Sequence, residues 1–421
     1  MERSISTLDK IVVFSLFVFT AFSLFSISIA QVAAGVGGVA WLLRTYVTGS
    51  WREQRWPLGI PFALFALACL VAVINAYNVG YSYSSLKKLF EILIFFWVVN
   101  CVHENRLRDS LSALLIVAAT LAGLFGLYQV WDSGMPKSGM YRAEGTMSVY
   151  MTFSGLLMMV GALAAGRVLF KYPRENWIWL AFVIIVTCLV FTLTRQAWFG
   201  FLIGFGLILY VWRKKYFLIG FVLIISLAVL VTGPMRHGAE KILAPVESTS
   251  NGNTGFSGLE AVKFRLLDMI RASDVPHNTY GMRLQLWKVG WEIVKDYPLT
   301  GCGFRCVDLI NSQYPDPNGF VKKLRGMHNN FVQLAVDTGF LGLSAWIGIW
   351  FCLFRLLYKK AMTLESYSHE RWVVVGGAAA VVAFLAGGCF ESNFYDSEVA
   401  MVLYFLMALP FSGSCSPSAE C

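Results

Sequence analysis

The chain has 421 residues, of which 57% are hydrophobic and only 14% charged, with a mean hydropathy of +0.62. A soluble protein carries about 25% charged residues, so the composition excludes a soluble globular enzyme and predicts an all-α, multi-pass membrane protein. The formal charge of +9 does not point to nucleic acid. Its lysines and arginines gather in short loops between apolar runs, where the positive-inside rule puts them.

The chain opens with Arg3 and Lys10 before an apolar run and Ser28-Ile29-Ala30 after it, the outline of a signal peptide. Hydrophobic sequence resumes at once through Trp41, which argues against cleavage there. Residues 11–44 exceed what one helix needs to cross a ~30 Å core, so two short spans are expected. Further spans are predicted at 60–76, 89–102, 111–130, 148–169, 177–193, 198–212, 217–232, 331–357, 372–390 and 399–411. The reading is twelve helices: nine within 1–232, a long outer loop over 233–330, and three within 331–421. With the N-terminus inside, Arg44, Arg52, Arg55, Arg106, Arg108, Arg167, Lys171, Arg174, Arg213, Lys214, Lys215, Arg355, Lys359 and Lys360 all fall on the cytoplasmic side. Lys87 and Lys88 fall outside, flanking a span, and are expected to snorkel. The nine cysteines show no CxxC pair and no zinc spacing. Cys69, Cys188, Cys352 and Cys389 read as small hydrophobes, and Cys302 and Cys306 could form a local disulfide in an oxidising compartment.

The long loop is too polar to span and too long for a bare connection, so it is expected to be a functional cap. An amphipathic helix is predicted at 259–270, after a flexible joint at 251–255. In a helix over 282–295, Lys288, Glu292 and Lys295 share one face, while Arg283 lines up with Trp287, Gly290 and Val294 on the other. A cation on the apolar face needs an anionic partner, because an unpaired buried charge is too costly. Arg195, in Thr-Leu-Thr-Arg-Gln-Ala-Trp, stands between two apolar runs, either snorkelling to lipid or forking onto phosphate oxygens. Arg142 is a second outer arginine, with Glu144 near enough in sequence to neutralise it.

His328 sits where polar sequence meets an apolar helix, followed on one face by Asn330, Gln333 and Asp337. A histidine near pH 7 can accept a proton from a hydroxyl nucleophile, and a carboxylate inside a span is a functional candidate. Asp337, two turns on, is expected to orient the polar stripe together with Gln333 without touching the ring. No HxxxH spacing links the histidines, so no metal site is expected. Asp396-Ser-Glu398, in an acidic loop with Glu391, is read as solvated rather than metal-binding.

These blocks resemble the O-antigen ligase family and its polymerase relatives. The resemblance rests on Arg195 after a Thr-rich span end, Met282-Arg283-Leu-Gln-Leu-Trp287, and Asp296-Tyr-Pro298-Leu-Thr-Gly301-Cys-Gly303. It continues in His328-Asn329-Asn330 through Gly342, Phe390-Glu391-Ser-Asn393-Phe394 and Arg142-Ala-Glu-Gly145. It implies a C-type glycosyltransferase-like fold in the bacterial inner membrane with a periplasmic site and no cofactor. The implied donor is a glycan on undecaprenyl diphosphate and the implied acceptor a lipid A–core hydroxyl. On that resemblance Arg195, Arg283 and His328 are catalytic, while Arg142, Trp287, Asn329, Asn330 and Glu391 contact substrate. Ligase, polymerase and protein-glycosylating members are not separated by these motifs. A secondary transporter is the rival from another class, disfavoured because the polar residues crowd at one boundary.

Overall fold

The computed structural model describes residues 2–132, 142–171, 173–218, 279–310, 313–315, 326–364, 368 and 370–413. Among these the chain is helical throughout, with no strand. In order come α1 (Glu2–Phe22), α2 (Ile27–Thr48), α3 (Gly59–Ile74), α4 (Val79–Ser85), α5 (Leu93–Cys101), α6 (Asn105–Asp132) and α7 (Tyr150–Phe170). They are followed by α8 (Asn176–Phe191), α9 (Arg195–Trp212), α10 (Thr279–Asp296), α11 (Asn330–Thr363), α12 (Arg371–Gly387) and α13 (Ser397–Ala408). Six of them (α1, α2, α6, α7, α9 and α11) are long and apolar enough to cross a membrane, and four shorter apolar helices stand beside them. The span predicted at 217–232, the joint at 251–255 and the helix at 259–270 lie outside the described residues.

Two segments differ from expectation. The opening pair is longer than two short spans, at 21 and 22 residues. The helices run on through their charged ends, where Arg44 Nε meets Asp9 Oδ1 at 2.6 Å, and Ser26 caps α2 by accepting from the Ile29 amide. The segment 89–102 is not uniform α-helix. A 3₁₀ stretch over Leu86–Ile92 leads into the nine-residue α5, and nine residues rise only ~14 Å. Lys88 does not snorkel; its Nζ donates to the Tyr395 carbonyl and, at 2.9 Å, to Ser397 Oγ.

α7 is the central post, almost wholly buried among α8, α9, α12 and α13. α9 lies close on α12, because a Cβ at Gly200 or Gly204 would strike the Ala383 and Ala379 carbonyls. Small residues let membrane helices approach in this way, and the contact fixes the start of α9 beside the end of α12.

The second organising feature is a break in α11. Gly339 has φ 63° and ψ −167°, so the helix is interrupted there. Backbone groups freed inside a membrane must find partners, and residues 298–303 supply them. Cys302 and Gly303 donate their amides to the Val336 and Asp337 carbonyls at 2.9 and 3.1 Å. Phe340 and Leu341 donate theirs to the Pro298 and Leu299 carbonyls at 2.9 and 3.2 Å. Gly301, at φ 69°, lies against the Asp337–Thr338 backbone with no room for a Cβ. Cys302 and Cys306 are joined in a disulfide beneath this loop.

Candidate active site

Four elements meet at one end of the bundle: the start of α9, the helix α10, the start of α11, and the turn between α12 and α13. α10 carries the amphipathic pattern read from the sequence. Leu286, Val289, Ile293 and Val294 are buried while Lys288, Glu292 and Lys295 are exposed. Its Gly290 rests against Val332, Met327 and Val336, which packs α10 on α11. Arg283, on the inward side, has a side chain only 13% exposed.

The turns 326–330 and 388–394 are zipped together by hydrogen bonds. Asn330 donates its amide to the Gly388 carbonyl at 2.7 Å and its Nδ2 to Asn393 Oδ1 at 2.7 Å, and its Oδ1 accepts from the Phe394 amide at 3.0 Å. Asn329 Nδ2 donates to the Cys389 carbonyl at 2.9 Å, while Asn329 Oδ1 caps α11 by accepting from the Phe331 and Val332 amides. Both asparagines are buried and their amides are engaged within the protein. Between them the turns present His328 and Glu391. His328 Nδ1 lies 2.9 Å from Glu391 Oε1. His328 adopts φ 46°, a left-handed backbone that a non-glycine residue holds only when its surroundings impose it.

Glu391 is the junction of the site. Its Oε2 lies 3.9 Å from Arg283 Nη2 and accepts from Gln196 Nε2 at 3.5 Å, and its Oε1 also accepts from the Ser392 amide at 3.2 Å. Gln196 follows Arg195, the first residue of α9, so the second arginine stands at a helix N-terminus whose free N–H groups already favour an anion. Burial pushes the Arg283 guanidinium below the usual arginine range; Glu391 opposes that, and Arg195 and its like charge reinforce it. Tyr150 also acts on Arg283, and Arg142 lies with its guanidinium 4.3 Å from the Tyr150 ring centroid. Arg283 and His328 thus face one carboxylate, with Arg195 close enough to act on Arg283 and Arg142 linked to it through Tyr150.

Around this cluster, Trp287 donates its indole N–H to the Met327 carbonyl at 2.9 Å. Gln333 accepts from the Met327 amide and donates to Asp337 Oδ2 at 2.9 Å. Asp337 thus bonds to the polar stripe, which reaches the histidine turn through Gln333 and Met327. Asp396 accepts from Thr152 Oγ1. Among the described residues, metal-capable groups come together only at Cys302, Cys306 and Asp337, where the two sulfurs are already joined to each other. The partnership of His328 with Glu391 was not legible in the chain, because 63 residues separate them; the only trace was the Phe-Glu-Ser-Asn-Phe block.

No curated protein matches the chain. The family model described as O-antigen ligase matches residues 180–347. The matched segment holds Arg195, Arg283, Trp287, His328, Gln333 and Asp337, which the fold gathers at one end of the bundle, and over that segment the chain is similar to the O-antigen ligase family.

Proposed function

We propose that the chain transfers a glycan from undecaprenyl diphosphate to a sugar hydroxyl of lipid A–core, on the periplasmic face of the inner membrane. The observation that carries this reading is the contact of His328 Nδ1 with Glu391 Oε1, a carboxylate that Arg283 also faces. A carboxylate on Nδ1 holds that nitrogen as the N–H donor, which leaves the Nε2 lone pair as the base.

The acceptor O–H gives its proton to His328 Nε2 as its oxygen bonds to the anomeric carbon. The bond from that carbon to the diphosphate oxygen breaks on the opposite side, and its electron pair leaves with the diphosphate. Such a displacement inverts the anomeric centre. Arg283 and Arg195 neutralise the charge that grows on the leaving group, and Arg142 contacts a further phosphate oxygen. Fixed donors aimed at developing charge are worth about 10²–10³ in rate each. These cations supply the charge that a divalent ion supplies elsewhere, so the reaction is expected to run in EDTA. Asn329 and Asn330 serve by fixing the histidine turn.

The test is transfer by purified protein with lipid-linked glycan, rough lipopolysaccharide and EDTA. Glycan moving onto lipopolysaccharide supports the ligase. Longer glycan on the carrier, with lipopolysaccharide untouched, would make it a polymerase. With intact donor, no transfer at all would overturn both.

A further inference from the structure

Each of the two arginines is followed four residues later by an aromatic residue: Arg195 by Phe199 on α9, and Arg283 by Trp287 on α10. Residues four apart lie over one another on a helix, so each ring sits one turn, roughly 6 Å, beyond its guanidinium. The two rings come from helices far apart in sequence, yet both meet Phe390, the residue before Glu391. The Phe199 and Phe390 centroids are 5.6 Å apart with planes at 86°, and those of Trp287 and Phe390 are 6.5 Å apart at 37°. The site therefore has two tiers, one charged and one aromatic, joined at Phe390–Glu391.

The chemistry of the aromatic tier is restrictive. The two phenylalanines carry no polar atom, and the indole N–H of Trp287 is engaged by the Met327 carbonyl. A sugar ring placed there would leave its hydroxyls without partners, which is costly when they are desolvated. An apolar chain loses nothing. Phe199 also opens outward: it is 40% exposed, and Leu202 and Ile203 continue that bare face of α9 along the helix at 47% and 45%. One ligand satisfies both tiers, an anion joined directly to a hydrocarbon chain that leaves sideways along α9.

We propose that Phe199, Phe390 and Trp287 form a subsite for the first chain units of a lipid diphosphate, so that the donor is read through its proximal hydrocarbon as well as its phosphates. This rests on the donor reading given above. It makes Phe199 a specificity residue for the lipid carrier.

The test is binding of farnesyl diphosphate and of inorganic diphosphate to the full-length protein in nanodiscs, by calorimetric titration. Farnesyl diphosphate is expected to bind at least tenfold more tightly than inorganic diphosphate. Phe199→Ala is expected to weaken farnesyl diphosphate about tenfold, the scale of one ring's burial, and to leave inorganic diphosphate within about twofold. Phe199→Trp should retain the farnesyl increment. Leu67→Ala, at a lipid-exposed position on α3, should change neither. Equal affinity for the two ligands overturns the subsite, as does an equal loss in Leu67→Ala. Unchanged farnesyl binding in Phe199→Ala with a raised KM for the glycan donor would assign the rings to the sugar and overturn it too. If neither ligand binds to the wild type, the donor reading falls and the subsite with it.

Discussion

Two of the clusters of buried charge among the described residues, one at each end of the bundle, are built differently. At the end away from His328, Arg167 forks onto Glu175 at 2.8 and 2.9 Å and donates to the Asp109 carbonyl and Ser112 Oγ. Lys171 bridges Asp109 and Glu175 at 2.8 and 2.9 Å, and Lys360 meets Glu370 at 3.2 Å and the Pro410 carbonyl at 2.7 Å. The fully buried Arg108 lies among Asp109, Glu370 and the Ser412 carbonyl. Four cations there share three carboxylates, and the network stitches the ends of α6, α7, α8, α11 and α12. At the His328 end the contact of Arg283 with Glu391 is long, at 3.9 Å. A tightly matched cluster is finished by the protein itself, whereas a loose pair can take up an anion from outside.

The largest effects should come from the loosely paired end. His328→Ala is expected to cut transfer by about 10²–10⁴, the range for a general base, with little change in thermal midpoint. A loss in midpoint matching the loss in rate would break the contrast. Glu391→Gln keeps the shape of its side chain but can turn an amide N–H toward Nδ1. It should select the wrong tautomer and lower kcat by about 10² or more, as loss of the orienting carboxylate does in hydrolytic triads. Arg283→Lys should not restore activity, because an ammonium lacks the planar fork; full transfer by that variant would count against bidentate phosphate contact.

The matched end should respond in stability instead. Arg167→Met removes the bidentate partner of Glu175, leaves it to Lys171, and is expected to cost about 1–3 kcal/mol, read as a lower melting point in detergent, with transfer per folded molecule unchanged. The smallest effect concerns acid. Burial tends to raise the Glu175 carboxyl, but hydrogen bonds from Arg167 and Lys171 outweigh it and hold the group below the ordinary glutamate range. Its contribution is then fully present above the unfolded value of about 4.3 and is lost as pH falls through the lower folded value. Glu175→Gln should flatten that acid limb, and an unchanged limb would remove Glu175 from the account.

What could be read from the chain follows from how locally each feature is encoded. The face of α10 was legible, because helical spacing alone separates Arg283 and Trp287 from Lys288, Glu292 and Lys295. So was the position of His328 at a polar–apolar boundary. The buried partner demanded for Arg283 turned out to be Glu391, and no periodicity could have named it, since the contact is made by tertiary packing of two turns. Lys88 was misplaced for a related reason: its carbonyl and hydroxyl partners come from 307 and 309 residues away. The break in α11 was hidden because Gly339 sits in an apolar run that reads as continuous helix, and only the intruding segment 298–303 shows why it stops.

That break sets a rule about length. The stub from Asn330 to Thr338, with His328 at its tip, is seated by two backbone bonds from Cys302 and Gly303, while two more from Phe340 and Leu341 to residues 298–299 seat the helix beyond the break. A single residue inserted or deleted between Pro298 and Gly303 would therefore put these donors and acceptors out of register and unseat the histidine turn, whereas substitutions that leave the glycines in place would not. Natural variation in this protein's relatives should accordingly be free in side chain here and fixed in spacing.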